Sequence, residues 1–311
     1  EEEEVVVKVM KEKILSGFVG QAGNYFLGGK YVRELERRFC DYFKVKYAIS
    51  CNSASTALQI AVGALGIGPG DEVITTPYTM SATASSILLN NAIPVFVDIE
   101  EDYFCLNPTL IEKNINKKTK AILAVNLFGE SADYDPILKI AKKYNLKIIE
   151  DNAQAPGATY KRKFTGTIGD MGVFSFNVHK VIQSGEGGII LTNNKKLAFR
   201  SQLIRNHGEA VIDNFYQKEK IYEPIIGSNY RLSEIQAAIV IEQFKKLDKF
   251  NKQRIDLTHY LTKQLRQFDW LIPPKIRKGT KHVYYVYSVR FLEEKIGIKR
   301  ATFAKAMKAE G

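Results

Sequence analysis

Over its first 200 residues the chain alternates short apolar, β-branched runs with amphipathic stretches, the pattern of parallel strands joined by helices. YAISC (47–51), EVITT (72–76), PVFVDI (94–99), KAILAV (120–125), KIIED (147–151), GVFSF (172–176) and GGIILTN (187–193) read as strands. Most are nearly continuous in apolar residues, as strands covered on both faces are. Between them, Ser55 to Leu65, Ser81 to Asn90, Pro108 to Asn114 and Asp135 to Tyr144 read as helices. The fold class is therefore α/β, and right-handed crossovers bring ligands to the carboxyl ends of the strands.

Beyond residue 193 the alternation fades into helical sequence from Leu232 to about Phe268. HVYYVYSVRF (282–291) then reads as the first strand of a smaller domain, followed by a helix from Lys299 to the end. The expected division is a large domain over 1–240 and the start of a small α+β domain over 241–311. One strand and one helix bury little, so the small domain is expected to be incomplete at Gly311.

Composition removes several function classes. The 45 basic and 34 acidic residues leave a net charge of +11, which suits nucleic acid, a membrane surface or a small anion. The basic residues lie in mixed-sign stretches such as KKLDKFNKQR without a nucleic-acid motif, so they read as solvated faces and nucleic acid is not an expected partner. No apolar run approaches the roughly 20 residues that cross a bilayer, and four opening glutamates are unlike a signal peptide's basic start. Cys40, Cys51 and Cys105 are too few and too irregular for a disulfide framework or a zinc site, and His179, His207, His259 and His282 lack metal-ligand spacing. A cytoplasmic protein with no membrane partner and no metal is expected.

Three strand ends carry residues able to do chemistry. CNSASTAL (51–58) places small hydroxyl residues where a helix opens. Its free N–H groups and the helix dipole would cradle a phosphate, or Ser53 or Ser55 would simply cap the helix. KIIEDNAQAPGA (147–158) delivers Glu150 and Asp151 to the end of a buried strand, where a carboxylate needs a partner: a metal, a proton or a protonated heterocycle. GVFSFNVHKVIQSGEGGIILTN (172–193) sets Ser175, Asn177, His179 and Lys180 between two buried strands, beside glycines. Burial there disfavours an ammonium and would make Lys180 a nucleophile able to form a Schiff base. A phosphate cradle, a buried aspartate and a nucleophilic lysine together are the parts that hold pyridoxal 5′-phosphate.

FSFNVHKVIQSGEGGIILTNN, with EDNAQAPGA upstream and SNYRLSEIQAA downstream, resembles the DegT/DnrJ/EryC1/StrS family of pyridoxal-phosphate-dependent sugar aminotransferases, the likeness running from about Asn24 to Tyr287. The resemblance implies the aspartate aminotransferase-like transferase fold, type I: a large domain with a mostly parallel sheet of about seven strands, a smaller C-terminal domain, and a homodimer with shared active sites. It implies that Lys180 bonds to the cofactor's aldehyde and that Asp151 pairs with the pyridine nitrogen. Gln154 would lie against the ring, and Ser175 would contact the phosphate together with Ala54, Ser55 and Thr56. Asn229 would reach the phosphate of the partner subunit. The implied reaction is a ping-pong transfer of an amino group, with glutamate as the expected donor and a nucleotide-linked keto sugar as acceptor.

Two positions depart from the family pattern. An aromatic residue that often stacks on the cofactor is replaced in the Thr79–Met80 pair, so Met80 would pack its thioether on the ring. The common SFH is SFN at Asn177. A dehydratase branch carries histidine in place of the lysine, so Lys180 favours transamination over dehydration. An aromatising synthase and a non-catalytic regulatory homologue remain alternatives. His179 reads mainly as a polar neighbour of the site; Arg205 and His207 read equally as substrate contacts or as loop structure.

Overall fold

The structure is a computed structural model that describes residues 1–20, 23–208 and 225–311. Seven strands form its central sheet: β1 (Tyr47–Cys51), β2 (Glu72–Thr75), β3 (Ile93–Phe96), β4 (Thr119–Val125), β5 (Lys147–Asp151), β8 (Met171–Ser175) and β9 (Gly188–Thr192), in the order β1-β9-β8-β5-β4-β2-β3. The pairs from β8 through β5, β4 and β2 to β3 are parallel. β9 runs antiparallel to both β8 and β1. The short connection from β8 to β9 holds no crossover helix, so the chain returns as a hairpin. The two short strands β6 (Thr159–Tyr160) and β7 (Lys163–Phe164) lie outside this sheet.

Alternating side chains of the buried strands feed two cores. Val173 and Ile190 join Ile49, Leu58, Ile122 and Ile149 in one core. Phe174, Ile189 and Leu191 join Phe39, Phe43 and Val240 in the other. Helix α3 (Ala54–Ala64) is apolar nearly all round because it packs against the sheet and against α4 (Ser81–Leu88) and α6 (Lys195–Arg205), whereas α5 (Tyr134–Tyr144) packs against β5 with only one face buried. On the other side α1 (Glu2–Glu12) and α2 (Lys30–Phe43) pack on the helix Glu234–Phe244. The buried Glu234 carboxylate accepts the Gly29 and Tyr31 N–H groups at 3.0 and 2.7 Å, satisfying the positive end of α2.

Several expected elements differ. Pro108 to Asn114 is a pair of 3₁₀ turns, Pro108–Leu110 and Glu112–Asn114, too short to propagate as an α-helix. The stretch 232–268 is two helices, Glu234–Phe244 and Leu247–Leu265, parted at Lys245 and Lys246. The segment 282–291 is not one strand: only Arg290–Phe291 pairs, with Leu271–Ile272, and the residues before it are irregular. Their N–H groups go to the large sheet's loops instead, Val283 to the Gly129 carbonyl at 3.0 Å and Val286 to the Phe128 carbonyl at 3.4 Å. The helices α1, α2 and α6 have no counterpart in the sequence reading. No described helix is long and apolar enough to cross a membrane.

Candidate active site

The carboxyl ends of the parallel strands and the loops after them enclose a cavity of about 310 Å³. β5 ends in Asp151, which is 6% exposed and lines that cavity. The Thr83 hydroxyl donates to its Oδ2 at 2.8 Å and the Ala153 N–H to its Oδ1 at 3.2 Å, so both oxygens are aimed. Burial raises the Asp151 pKa, and these two donors and the nearby Lys180 charge only partly oppose it. Next to it, Glu150 points the other way, accepting the N–H groups of Gly166, Ile168 and Gly169 at 2.5–2.6 Å. Glu150 therefore ties down a turn, and it does not line the cavity.

Lys180 comes from the β8–β9 loop, where its own N–H donates to the Asn177 carbonyl at 2.8 Å. Its side chain is half-buried, lines the same cavity as Asp151, and places Nζ 4.3 Å from the centroid of the Tyr285 ring. Gln154 also lines the cavity, with Oε1 accepting the Phe128 N–H at 2.7 Å. Met80 sits at its rim, 67% exposed. His179 lines the cavity as well, and Asn177 donates from Nδ2 to Glu186 Oε1 at 3.0 Å beside it.

Another part of the cavity lining comes from the point where β1 runs into α3. Ser53 is the N-cap: its Oγ accepts the Thr56 N–H at 3.1 Å, which leaves the N–H groups of Ala54 and Ser55 without intrahelical acceptors. Ala54, Ser55 and Ser175 line the cavity there. This wall presents hydroxyls, open N–H groups and a helix dipole, the features that bind a phosphate.

Not every candidate reaches the cavity. Thr56 is turned away from it, its hydroxyl donating to Asn52 Oδ1 at 2.6 Å. Asn229 pairs with Asn206 in an isolated bridge and does not line the cavity of its own chain. Arg205 is fully buried, donating from Nη1 to Glu36 Oε1 at 2.6 Å and to the Ser50 carbonyl at 3.0 Å. His207 adopts φ 69° and donates its N–H to the Ser228 carbonyl. Neither lines the cavity: Arg205 ends α6 in a buried ion pair with Glu36, and His207 lies in the turn after that helix. Thr83, Glu186 and Tyr285 are lining or supporting residues absent from the sequence reading. Thr83 had a weak signal, four residues after Thr79 on the first turns of a helix that follows a strand. Tyr285 had none, because its aromatic run read as a strand.

Among curated relatives, GDP-perosamine synthase of Caulobacter vibrioides is 39% identical over 284 residues, 91% of this chain and 75% of that protein. A protein of Geobacillus stearothermophilus named pleiotropic regulatory protein is 41% identical over 268 residues, 85% of this chain and 70% of its own. Among solved structures, S. venezuelae DesV in complex with a ketimine intermediate superposes with a TM-score of 0.87 at 30% identity, covering 99% of this chain and 77% of DesV. The family model of the DegT/DnrJ/EryC1/StrS aminotransferases matches residues 16–311, and the chain belongs to that family.

Proposed function

We propose that this protein is a cytoplasmic, pyridoxal-phosphate-dependent aminotransferase that moves the amino group of glutamate to a nucleotide-linked keto sugar. The observation that carries this reading is the meeting of Lys180, Asp151 and a helix N-terminus in the lining of one cavity. About 310 Å³ lies within the range of small-ligand sites, and each chemical part of the cofactor has a counterpart there. Ala54, Ser55 and Ser175 suit the phosphate, Asp151 the ring nitrogen, Gln154 and Met80 the ring, and Lys180 the aldehyde. The name of the Caulobacter relative, a synthase of a nucleotide-linked amino sugar, supports the substrate class.

When bound, pyridoxal phosphate supplies an electron sink for the carbon that bears the transferred nitrogen. Lys180 would hold the group through Nζ, and its amine, when free of that bond, would carry a proton to or from that carbon. Asp151, oriented by Thr83 and Ala153, holds the proton on the ring nitrogen; a carboxylate left short of compensation by burial gains a cationic partner there. The N–H groups of Ala54 and Ser55 hold the phosphate without a net protein charge. Lys180, rather than histidine, supports amino transfer over dehydration.

The direct test is to add pyridoxal phosphate and glutamate, then a panel of nucleotide-linked keto sugars, with mass spectrometry of the products. Expected are a yellow protein that glutamate bleaches and a sugar in which an amine has replaced the ketone. A protein that takes up the cofactor yet aminates no member of the panel would support the regulatory alternative, a role named for the Geobacillus relative.

The protein is further proposed to act as a homodimer in which Asn229 completes the partner subunit's phosphate site. Its position away from its own chain's cavity supports this. Mixing Lys180→Ala with Asn229→Ala subunits should then restore up to about a quarter of wild-type activity, since half the subunits form heterodimers with one intact site each. Mixed subunits that exchange yet stay inactive would argue for sites built from a single chain.

A further inference from the structure

Lys180 Nζ makes no hydrogen bond or ion pair among the described residues; the face of Tyr285, 4.3 Å from its centroid, is what the cationic head meets. That distance is inside the roughly 6 Å at which a ring face attracts a cation. None of the other charged or titratable groups on the cavity bonds to Nζ: Asp151 feels the Lys180 charge but is hydrogen-bonded by Thr83 and Ala153, Glu186 is bonded to Asn177, and the exposed His179 side chain makes no hydrogen bond to Lys180.

Tyr285 reaches this place through several anchors. Val283 and Val286 donate to the carbonyls of Gly129 and Phe128, and Arg254 Nη1 donates to the carbonyls of Tyr284 and Tyr285 at 3.4 Å each. The same turn fixes Gln154 through the Phe128 N–H. Its backbone is left-handed at both residues, φ 57° at Phe128 and 99° at Gly129, a conformation unusual for an aromatic residue and found where a site is held in place at some cost. A Cβ on Gly129 would lie 2.8 Å from the Tyr284 nitrogen, so only glycine lets segment 284–285 approach.

We propose that Tyr285 is a positioning residue whose ring face seats the protonated amine of Lys180 whenever that amine is not bonded to the cofactor. The proposal rests on Lys180 being the cofactor's lysine, as read above. A released lysine is long and has many rotamers; a cation-attracting face keeps Nζ over the cavity. The Phe128–Gly129 turn makes that seat part of the same support that holds Gln154.

The test uses the cofactor-free protein and trace acetic anhydride at neutral pH, with the rate at Lys180 read by peptide mass spectrometry against exposed lysines such as Lys44 and Lys249 in the same sample. Acetylation consumes the neutral amine, so loss of a face that favours the cation should speed it. Tyr285→Leu should raise the Lys180 rate by about 3- to 30-fold, and Tyr285→Phe, which keeps the ring, should restore the wild-type rate. An unchanged rate in Tyr285→Leu overturns the proposal, as does a Phe variant that behaves like Leu, because that would assign the effect to the hydroxyl. Adding pyridoxal phosphate separates the two levels. Equal colour in wild type and Lys180→Ala would sink the reading of the lysine itself, whereas colour that needs Lys180 with labelling indifferent to Tyr285 sinks only the seat.

Discussion

Lys180→Ala should give a folded protein that stays colourless with pyridoxal phosphate and transfers no amino group, a loss of at least about 10⁴-fold in kcat/KM, since in the proposed mechanism the anchoring nucleophile and the mobile base are one group. The fold should survive because the side chain is half-buried and its amine has no hydrogen bond or ion pair among the described residues. A change within about 1 kcal/mol is expected, as for substitutions that remove no core volume and strand no buried polar group. Absorbance on reconstitution, steady-state rates and the thermal midpoint check all three parts. Undiminished transamination by this variant would remove Lys180 from the mechanism.

Asp151→Asn should keep the cofactor and lose most of the rate, about 10²- to 10⁴-fold, because an amide of the same shape cannot hold a proton on the ring nitrogen by charge. The variant has a second signature in the cofactor-free protein. Burial raises the Asp151 pKa, so the folded state binds that proton more tightly than the unfolded chain does. The stability this provides is present below the ordinary aspartate value of about 3.9 and is lost as pH rises through the raised value. Wild-type stability should therefore carry a component that falls with rising pH across that window, and Asp151→Asn should lack it. Denaturant titrations at a series of pH values make the comparison. Parallel stability curves, or near-native kinetics, would count against the assignment.

The cavity shows how far local sequence reaches. That Asp151 and Lys180 would meet on one cavity was legible because Asp151 ends the apolar strand β5 and Lys180 lies in the loop that follows the apolar strand β8, and buried strands in an α/β sheet bring their ends and the loops after them to one edge. The Ser53 cap was legible for a similar reason: a small hydroxyl residue at a strand-to-helix turn satisfies the helix's free donors wherever it occurs. Glu150 and Asp151 look alike in sequence, yet strand alternation sends one into a turn of backbone donors and the other into the cavity. Arg205 invited a substrate role and instead sits buried against Glu36, a contact between residues far apart in the chain.

The chain's own periodicity decided the layered α/β architecture and which strand ends open on the cavity, because burial on both faces and helix capping are short-range demands that each segment meets by itself. Tertiary structure alone decided that Thr83 would orient Asp151 and that the segment around Tyr285 would leave strand geometry to lie over Lys180. Both outcomes depend on hydrogen-bond partners distant in the chain, the Asp151 carboxylate for Thr83 and the Phe128 and Gly129 carbonyls for the segment around Tyr285, and a donor chooses such a partner only after the sheet has brought it within reach.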